Sequence, residues 1–573
     1  MGPTDSGRAR LTLILVGLAT LISFPLRVWP VGRLGFNQFD EGIYGMAASW
    51  VFQPGSLSAI DPSLIAYAPP GYPILVGLAS FFLGSSDQPS FLVSATLGSL
   101  TVPVAAWISG RLFGPRAAVI SAWCVCFSGP HIAFSRIGLT DTSFLLFFTF
   151  GLAVGIRFLE TPRFGTALIL GVLVGVAQQF KYNGWLVGGL VIVTAILGPL
   201  VSKVEREPRR LLRIGAWGGF AVLVSWIIVY PWFRFVEDHG GYSALLKHQR
   251  SYLTGPAAWR PNLLDQANQA VGLAGPAWLT LISGLAISLA NWLISTNPDQ
   301  GEGRRILGSI GVGGTITSLL AAPITSGFIF APRLLADPRV GARLVGSGWL
   351  VLLVLSPFYH PYARLWLPFE MIHWIVLGGL AAWLGDLRFV DAPPNRHRLR
   401  RGLVIGSLGL VGLGFLSVGP GFPFASSGPL GHDGLFDPSD SLRFVAADVA
   451  KRVPPQVRGL RTLVRPALSF YLAGRVPASP QGDLDSFKRR PDHQWWGLVD
   501  SALLSSELGS PGRPAHRSPL EPIMATWELV AEFPSTTSLP TAFDLDPNHS
   551  RRPRDRSLTY LWLLRPRPLD SPR

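Results

Sequence analysis

Twelve apolar runs crowd the first 420 residues of this 573-residue chain, more than a water-soluble core can bury. They are Leu11–Val31 and residues 89–110, 117–134, 143–157, 165–180, 184–201, 213–232, 271–295, 306–331, 343–358, 365–386 and 401–420. A hydrocarbon core about 30 Å thick takes about 20 residues of helix, and only a helix or a closed barrel satisfies its own backbone there. The fold expected is therefore an all-α polytopic membrane protein. Leu11–Val31 follows Arg8 and Arg10 and lacks a small-residue cleavage site, so it reads as a retained signal-anchor. Residues 72–84 are apolar but short and read as an interfacial or re-entrant helix.

Composition agrees and divides the chain. Charged residues make up 14% of the whole, against roughly 25% in soluble domains, and mean hydropathy is +0.35. Residues 1–420 hold 48 of the 83 charges and residues 421–573 the other 35, so the last quarter is a water-facing domain. Two domains follow: a transmembrane domain over 1–420 and a soluble α/β domain over 421–573. The two cysteines, Cys124 and Cys126, lie inside an apolar run with no metal-type spacing.

A net charge of +15 invites a nucleic-acid reading, but its placement excludes one. With the N-terminus in the cytoplasm, loops 111–116, 157–164, 202–213, 296–305 and 387–401 carry 16 Lys and Arg, the positive-inside pattern. The same orientation puts 32–71, 135–142, 233–270 and the tail after 420 outside a cytoplasmic (inner) membrane. For His360 to lie outside, residues 306–342 must hold either two short spans or a hairpin, so the total is 11 or 13 spans, with 13 favoured. In the tail, Ser441–Val453 and Pro466–Leu472 read as helices, and Leu460–Val464, Thr526–Phe533 and Leu558–Leu564 as strands, with 476–525 irregular.

Polar groups at the outer ends of spans carry the chemistry, because a carboxylate beside hydrocarbon is costly to keep. Phe39-Asp40-Glu41-Gly42-Ile43-Tyr44 offers two adjacent carboxylates, a general base or a metal ligand, or else acids at a helix N-terminus. Tyr67-Ala68-Pro69-Pro70 is a rigid aromatic turn. Arg136 and Asp141 either pair with each other or serve a site. Lys181, in Lys181-Tyr182-Asn183-Gly184, snorkels or meets a lipid phosphate. Tyr359-His360-Pro361-Tyr362-Ala363-Arg364 sets two phenols, an imidazole and a guanidinium at one depth, a mix that suits a sugar-phosphate head group. All five clusters fall on the outer face, which points to one shared site.

On these residues the chain resembles the polyprenyl-phosphate-sugar-dependent glycosyltransferases of the GT-C class, which include protein O-mannosyltransferases and lipid A aminoarabinose transferases. The resemblance spans roughly residues 10–420 and rests on Asp40-Glu41, Pro69-Pro70, Arg136 with Asp141, the Lys181 turn and the Tyr359–Arg364 stretch, in that order. It implies an inverting hexosyl- or pentosyltransferase with Asp40 as catalytic base and Glu41 in support. Arg136, Lys181 and Arg364 would face the leaving phosphate, and Tyr44, Tyr67, Asp141, Tyr359, His360 and Tyr362 would complete the substrate site. The implied partners are a polyprenyl-phosphate sugar donor, a lipid, glycan or protein acceptor, and membrane lipids. No cofactor is required by the sequence, and the paired carboxylates permit a divalent metal without demanding one. One departure stands out: aminoarabinose transferases carry Lys before the Pro pair, where this chain has Ala68. The alternative is a polytopic lipid or solute transporter, favoured by Glu370 within a span. Transport calls for mid-membrane ionisable residues and paired repeats, whereas these charges sit at span ends.

Overall fold

The structure, a computed structural model, describes residues 3–28, 35–36, 39–52, 66–201, 203–274, 331–332, 334–360 and 363–386, and in the tail 442–464, 466–473, 475–477, 484–489, 494–501, 504, 523–536 and 558–567. The helices of the first part are α1 Pro3–Val28, α2 Phe39–Phe52, α3 Gly71–Leu83, α4 Gln88–Phe113, α5 Pro115–Cys126, α6 Gly129–Ser135 and α7 Asp141–Glu160. They continue as α8 Phe164–Phe180, α9 Leu186–Val201, α10 Pro208–Asp238, α11 Gly241–Ser251, α12 Trp259–Ala274, α13 Val340–Leu355 and α14 Leu367–Asp386. Five helices among the described residues are long and apolar enough to cross a membrane, beginning at Ala9, Gln88, Asp141, Pro208 and Val340, and four more apolar helices are shorter. Leu13, Leu21, Leu212, Val222 and Ile227 are more than half exposed on them. In water that surface would be a heavy liability, and in lipid it is the solvated face.

The helical expectations hold except at one place. Residues 117–134 form two helices, α5 and α6, rather than one span. Gly129-Pro130 accounts for the break, because a proline cannot donate to the preceding turn and is accommodated at a helix start. Of the expected spans at 271–295, 306–331 and 401–420, residues 275–295, 306–330 and 401–420 lie outside the described residues, and with them the count of thirteen and the boundary at 420. The short helix expected at 72–84 is α3.

Close helix approach rests on small residues. Gly171 and Gly175 of α8 are four apart on the face against α10, where a Cβ would lie 2.5 Å from Ala221 O and 2.9 Å from Ile228 Cβ respectively. Only glycine allows this spacing, the small-xxx-small logic of membrane helices. Farther on, Arg343 of α13 is fully buried. It pairs with Glu205 of the 3-10 turn Lys203–Arg206 and donates to Asp337 O at 2.7 Å. Removing one member of a buried pair strands the other, at a typical cost of about 3–5 kcal/mol. Arg343→Ala is therefore expected to lower the detergent-solubilised melting temperature sharply, and Arg343→Leu together with Glu205→Leu to recover part of the loss. Equal melting of wild type and the Ala variant would show the pair to be idle.

The tail is a small α/β unit built from α15 Leu442–Arg452, β1 Gly459–Leu463, α16 Pro466–Leu472, α17 Leu484–Lys488, β2 Trp495–Asp500, β3 Trp527–Thr536 and β4 Leu558–Pro566. Its sheet runs β1-β2-β4-β3. β1 pairs parallel with β2, β4 runs antiparallel to β2 and to β3, and a register shift falls between Leu529 and Ala531. Within 476–525, expected to be irregular, α17 and β2 are ordered elements. β2 is a central strand whose Leu498 and Val499 are fully buried, and its six residues were diluted by the Pro, Ser and Gly around them.

Candidate active site

The sequence Asp40-Glu41-Gly42-Ile43-Tyr44-Gly45 forms the start of α2. Helical spacing sends its residues three ways. Asp40 and Tyr44, four apart, share a face. Gly42 and Gly45, three apart, share another. Glu41 points between them, buried, and accepts a hydrogen bond from Gly138 N at 2.8 Å. The two adjacent carboxylates thus diverge. Among the described residues no three His, Cys, Asp or Glu side chains gather as a metal would need, so no step is assigned to one.

Asp40 meets Arg364, with Nη1 to Oδ2 at 2.9 Å across 324 residues. Arg364 sits in the 3-10 turn Ala363–Trp366. Beside this pair lies a second, in which the Lys181 ammonium donates to Asp141. Asp141 opens α7 behind Thr140, where the helix dipole favours an acid. Lys181 leaves the end of α8 in an extended conformation, and the turn back into α9 closes with Gly184 N donating to Lys181 O at 2.8 Å. A side chain at Gly184 would strike the α8 backbone, its Cβ 2.3 Å from Gln178 N.

The fields of these groups overlap. Burial draws the Lys181 ammonium below its ordinary pKa, Asp141 pushes it back up, and both Arg364 and Asp40 act on it. Burial, then Asp40, raises the Tyr44 phenol, which hydrogen-bonds Thr140. Tyr359 is pushed up to about 12 by burial, with Arg364, Tyr252 and Asp40 also acting on it. Asp40, Tyr44, Asp141, Lys181, Tyr359 and Arg364 therefore form one cluster, assembled from α2, α7, the α8–α9 turn and the segment before α14.

The other expected residues fall around it. Tyr67 packs with Tyr44 and Tyr182 against the apolar cluster of Ile43, Met46 and Trp232, and the Tyr182 hydroxyl donates to Ala66 O. Ala68, the departure from the aminoarabinose pattern, is buried in the same cluster. His360 stacks edge-on to Tyr252 at 6.0 Å, and its backbone N donates to Tyr252 O. Tyr362 lies outside the described residues. Arg136 is placed differently from the expectation. Its Nε donates to Leu26 O at 3.0 Å in the last turn of α1, while Asp141 takes Lys181 instead. A neighbour does the same for α5: Arg27 donates to Val125 O and Cys126 O, the last carbonyls of that helix. Both arginines donate to carbonyls in the last turn of a helix, where intrahelical N–H donors run out.

Sequence reading missed the residues that hold the Tyr359 segment. Tyr359 OH donates to Gln249 Oε1 at 2.8 Å. Asn262 Nδ2 donates to Pro357 O at 2.9 Å and to Thr254 Oγ1 at 2.8 Å, and Gln266 Nε2 to Ser356 O at 3.2 Å. Leu253 and Tyr359 form an antiparallel bridge. These amides fix a backbone about 90 residues away and follow no spacing rule; their only signal was polarity in the loop 233–270.

Residues 67–234 match the family model of the dolichyl-phosphate-mannose-protein mannosyltransferases. That region holds Tyr67, Arg136, Asp141 and Lys181 but not Asp40 or Arg364. In structure, the chain is similar to ArnT from Cupriavidus metallidurans bound to undecaprenyl phosphate, with a TM-score of 0.58 at 14% identity over 96% of this chain and 97% of that one. The two chains share a fold. The apo form of the same ArnT matches at a TM-score of 0.54 and 14% identity, over 98% of each chain. The Archaeoglobus fulgidus oligosaccharyltransferase in its apo form matches at 0.50 and 12% identity, over 87% of this chain and 71% of that one. Compared by sequence with curated proteins, the chain has no match. The GT-C resemblance read from Asp40-Glu41, Pro69-Pro70 and the Tyr359–Arg364 stretch agrees with these likenesses.

Proposed function

We propose that this GT-C protein is an inverting glycosyltransferase that moves a hexosyl or pentosyl group from a polyprenyl-phosphate donor to an acceptor hydroxyl on the extracytoplasmic side of the cytoplasmic membrane. The observation that carries the reading is the pairing of Asp40 with Arg364 beside Lys181 and Asp141. Two carboxylates and two cations meet there, which supplies a base for the acceptor proton and positive charge for a leaving phosphate.

In this mechanism the acceptor oxygen attacks the anomeric carbon on the face opposite the phosphate while its proton passes to Asp40. The bond between the anomeric carbon and the phosphate oxygen breaks, and polyprenyl phosphate departs with the electron pair. Arg364 and Lys181 offset the charge that develops on it, an electrostatic contribution made without reorganisation. Tyr359 and Tyr44 remain neutral phenols and serve as hydrogen-bonding groups for sugar or phosphate. Glu41 supports the base from behind by tying α2 to the 135–142 loop. The donor is an undecaprenyl- or dolichyl-type phosphosugar, in line with the undecaprenyl phosphate in the ArnT complex and the dolichyl-phosphate-mannose family model. The buried Ala68 speaks against aminoarabinose transfer itself.

The test is release of polyprenyl phosphate from a polyprenyl-phospho-sugar by the purified protein, with the anomeric configuration of the product read by NMR. Opposite configurations in donor and product are expected. Retention would overturn the inverting mechanism, and no donor consumption with lipid, glycan or peptide acceptors would overturn the enzyme reading. Sidedness has its own check: reporter fusions at residues 207 and 395 are expected in the cytoplasm and one at 430 outside. A cytoplasmic signal at 430 would place the tail on the wrong side for this site.

A further inference from the structure

The face of α2 opposite Asp40 and Tyr44 is covered by the tail. At Gly42 a Cβ would lie 2.0 Å from Ala467 N and 2.2 Å from Pro466 C, so α16 rests on the helix backbone with no room for a side chain. At Gly45 a Cβ would meet Phe36 Cε2 at 2.5 Å and Phe470 Cδ2 at 3.2 Å. Phe36, fully buried just before α2, has its ring centroid 4.8 Å from Phe470, 5.6 Å from Phe91 and 6.1 Å from Tyr471.

A polar knot pins this contact. The Tyr471 hydroxyl donates to Asp87 and accepts from the Phe36 backbone N. The same Asp87 oxygen takes Arg443 Nη2 at 2.5 Å, and the Arg443 guanidinium lies 5.9 Å from the Tyr471 ring. Asp87 is buried at the start of α4. One carboxylate of the membrane domain thus holds both α15 and α16 of the tail, and the hydroxyl it holds also fixes the chain entering α2.

We infer that the tail is a positioning domain: α16, locked by Asp87, Tyr471 and Arg443, sets the orientation of α2 and so aims Asp40 at its substrate. This rests on Asp40 being the base. Positioning is steep in its effect, since a misplacement of about 1 Å can cost about 10²-fold in rate. Asp87, Tyr471 and Gly42 are positioning residues and touch no reacting atom.

The test uses full-length Asp87→Asn and Tyr471→Phe, and Gly42→Ala, which attacks the contact from the other side. Two readouts are taken: hydrogen exchange of residues 39–52 and 466–472, and kcat with donor KM. Both segments are expected to exchange faster together while α7 and α8 stay protected. The expected kcat loss approaches 10²-fold with donor KM little changed, because Lys181 and Arg364 sit on other elements, and Asp87→Glu is expected to restore part of it. Faster exchange at 466–472 without any change at 39–52, or an unchanged kcat in variants whose tail has loosened, would overturn the inference. If wild type consumes no donor, the catalytic reading fails, while the exchange comparison still decides whether α16 holds α2.

Discussion

Asp40→Asn is expected to lower polyprenyl phosphate release about 10²–10⁴-fold, the usual contribution of a general base, with donor affinity nearly preserved. The amide keeps the shape of the carboxylate and an oxygen that can accept from Arg364, so the 2.9 Å contact can persist while the capacity to take a proton is lost. Glu41→Gln is the internal control. Its amide oxygen can still accept from Gly138 N, the contact Glu41 makes in the structure, so a much smaller loss is expected. If the two substitutions cost the same, neither carboxylate is singled out as base and the assignment to Asp40 falls.

That control also shows where reading the sequence reached its limit. By residue type alone Asp40 and Glu41 are equal candidates, and only the family resemblance prefers Asp40 as the base. Their separation needs the helix, which turns one toward Arg364 and the other toward the 135–142 loop. Grouping by membrane face was legible, because Lys and Arg counting puts Asp40, Asp141, Lys181 and Arg364 on one side, and in the structure these four sit together. Partner choice within the group was not. Arg136 stands five residues before Asp141 and looked like its mate, yet Lys181, forty residues on, takes the acid, while Arg136 caps the end of α1. A local spacing rule cannot see a helix end that arrives from 110 residues away. The docking of the tail was equally hidden. Nothing in the sequence around Gly42 and Gly45 signals a contact, and their purpose appears only once Ala467 and Phe470 stand against them.

The second large effect is expected at the two cations. Removing one preorganised donor to a developing oxyanion typically costs about 10²–10³-fold in kcat, and Arg364→Gln and Lys181→Met are each expected in that range. The two are distinguishable by pH. Burial lowers the Lys181 pKa despite the opposing pull of Asp141. Its cation is therefore complete below that value and is lost as pH rises through it, earlier than an exposed lysine would lose its own. Transfer should fall on an alkaline limb that moves to higher pH in Lys181→Arg, because a guanidinium stays charged, and that persists in Arg364→Gln. A limb unmoved by Lys181→Arg would remove Lys181 from the leaving-group site. Arg364 has a double duty, since it also holds Asp40. The double variant Asp40→Asn/Arg364→Gln should therefore be far less impaired than the product of the single losses, as residues acting as one unit are not additive. Full additivity would mean that the 2.9 Å pair carries no coupling between taking the proton and releasing the phosphate.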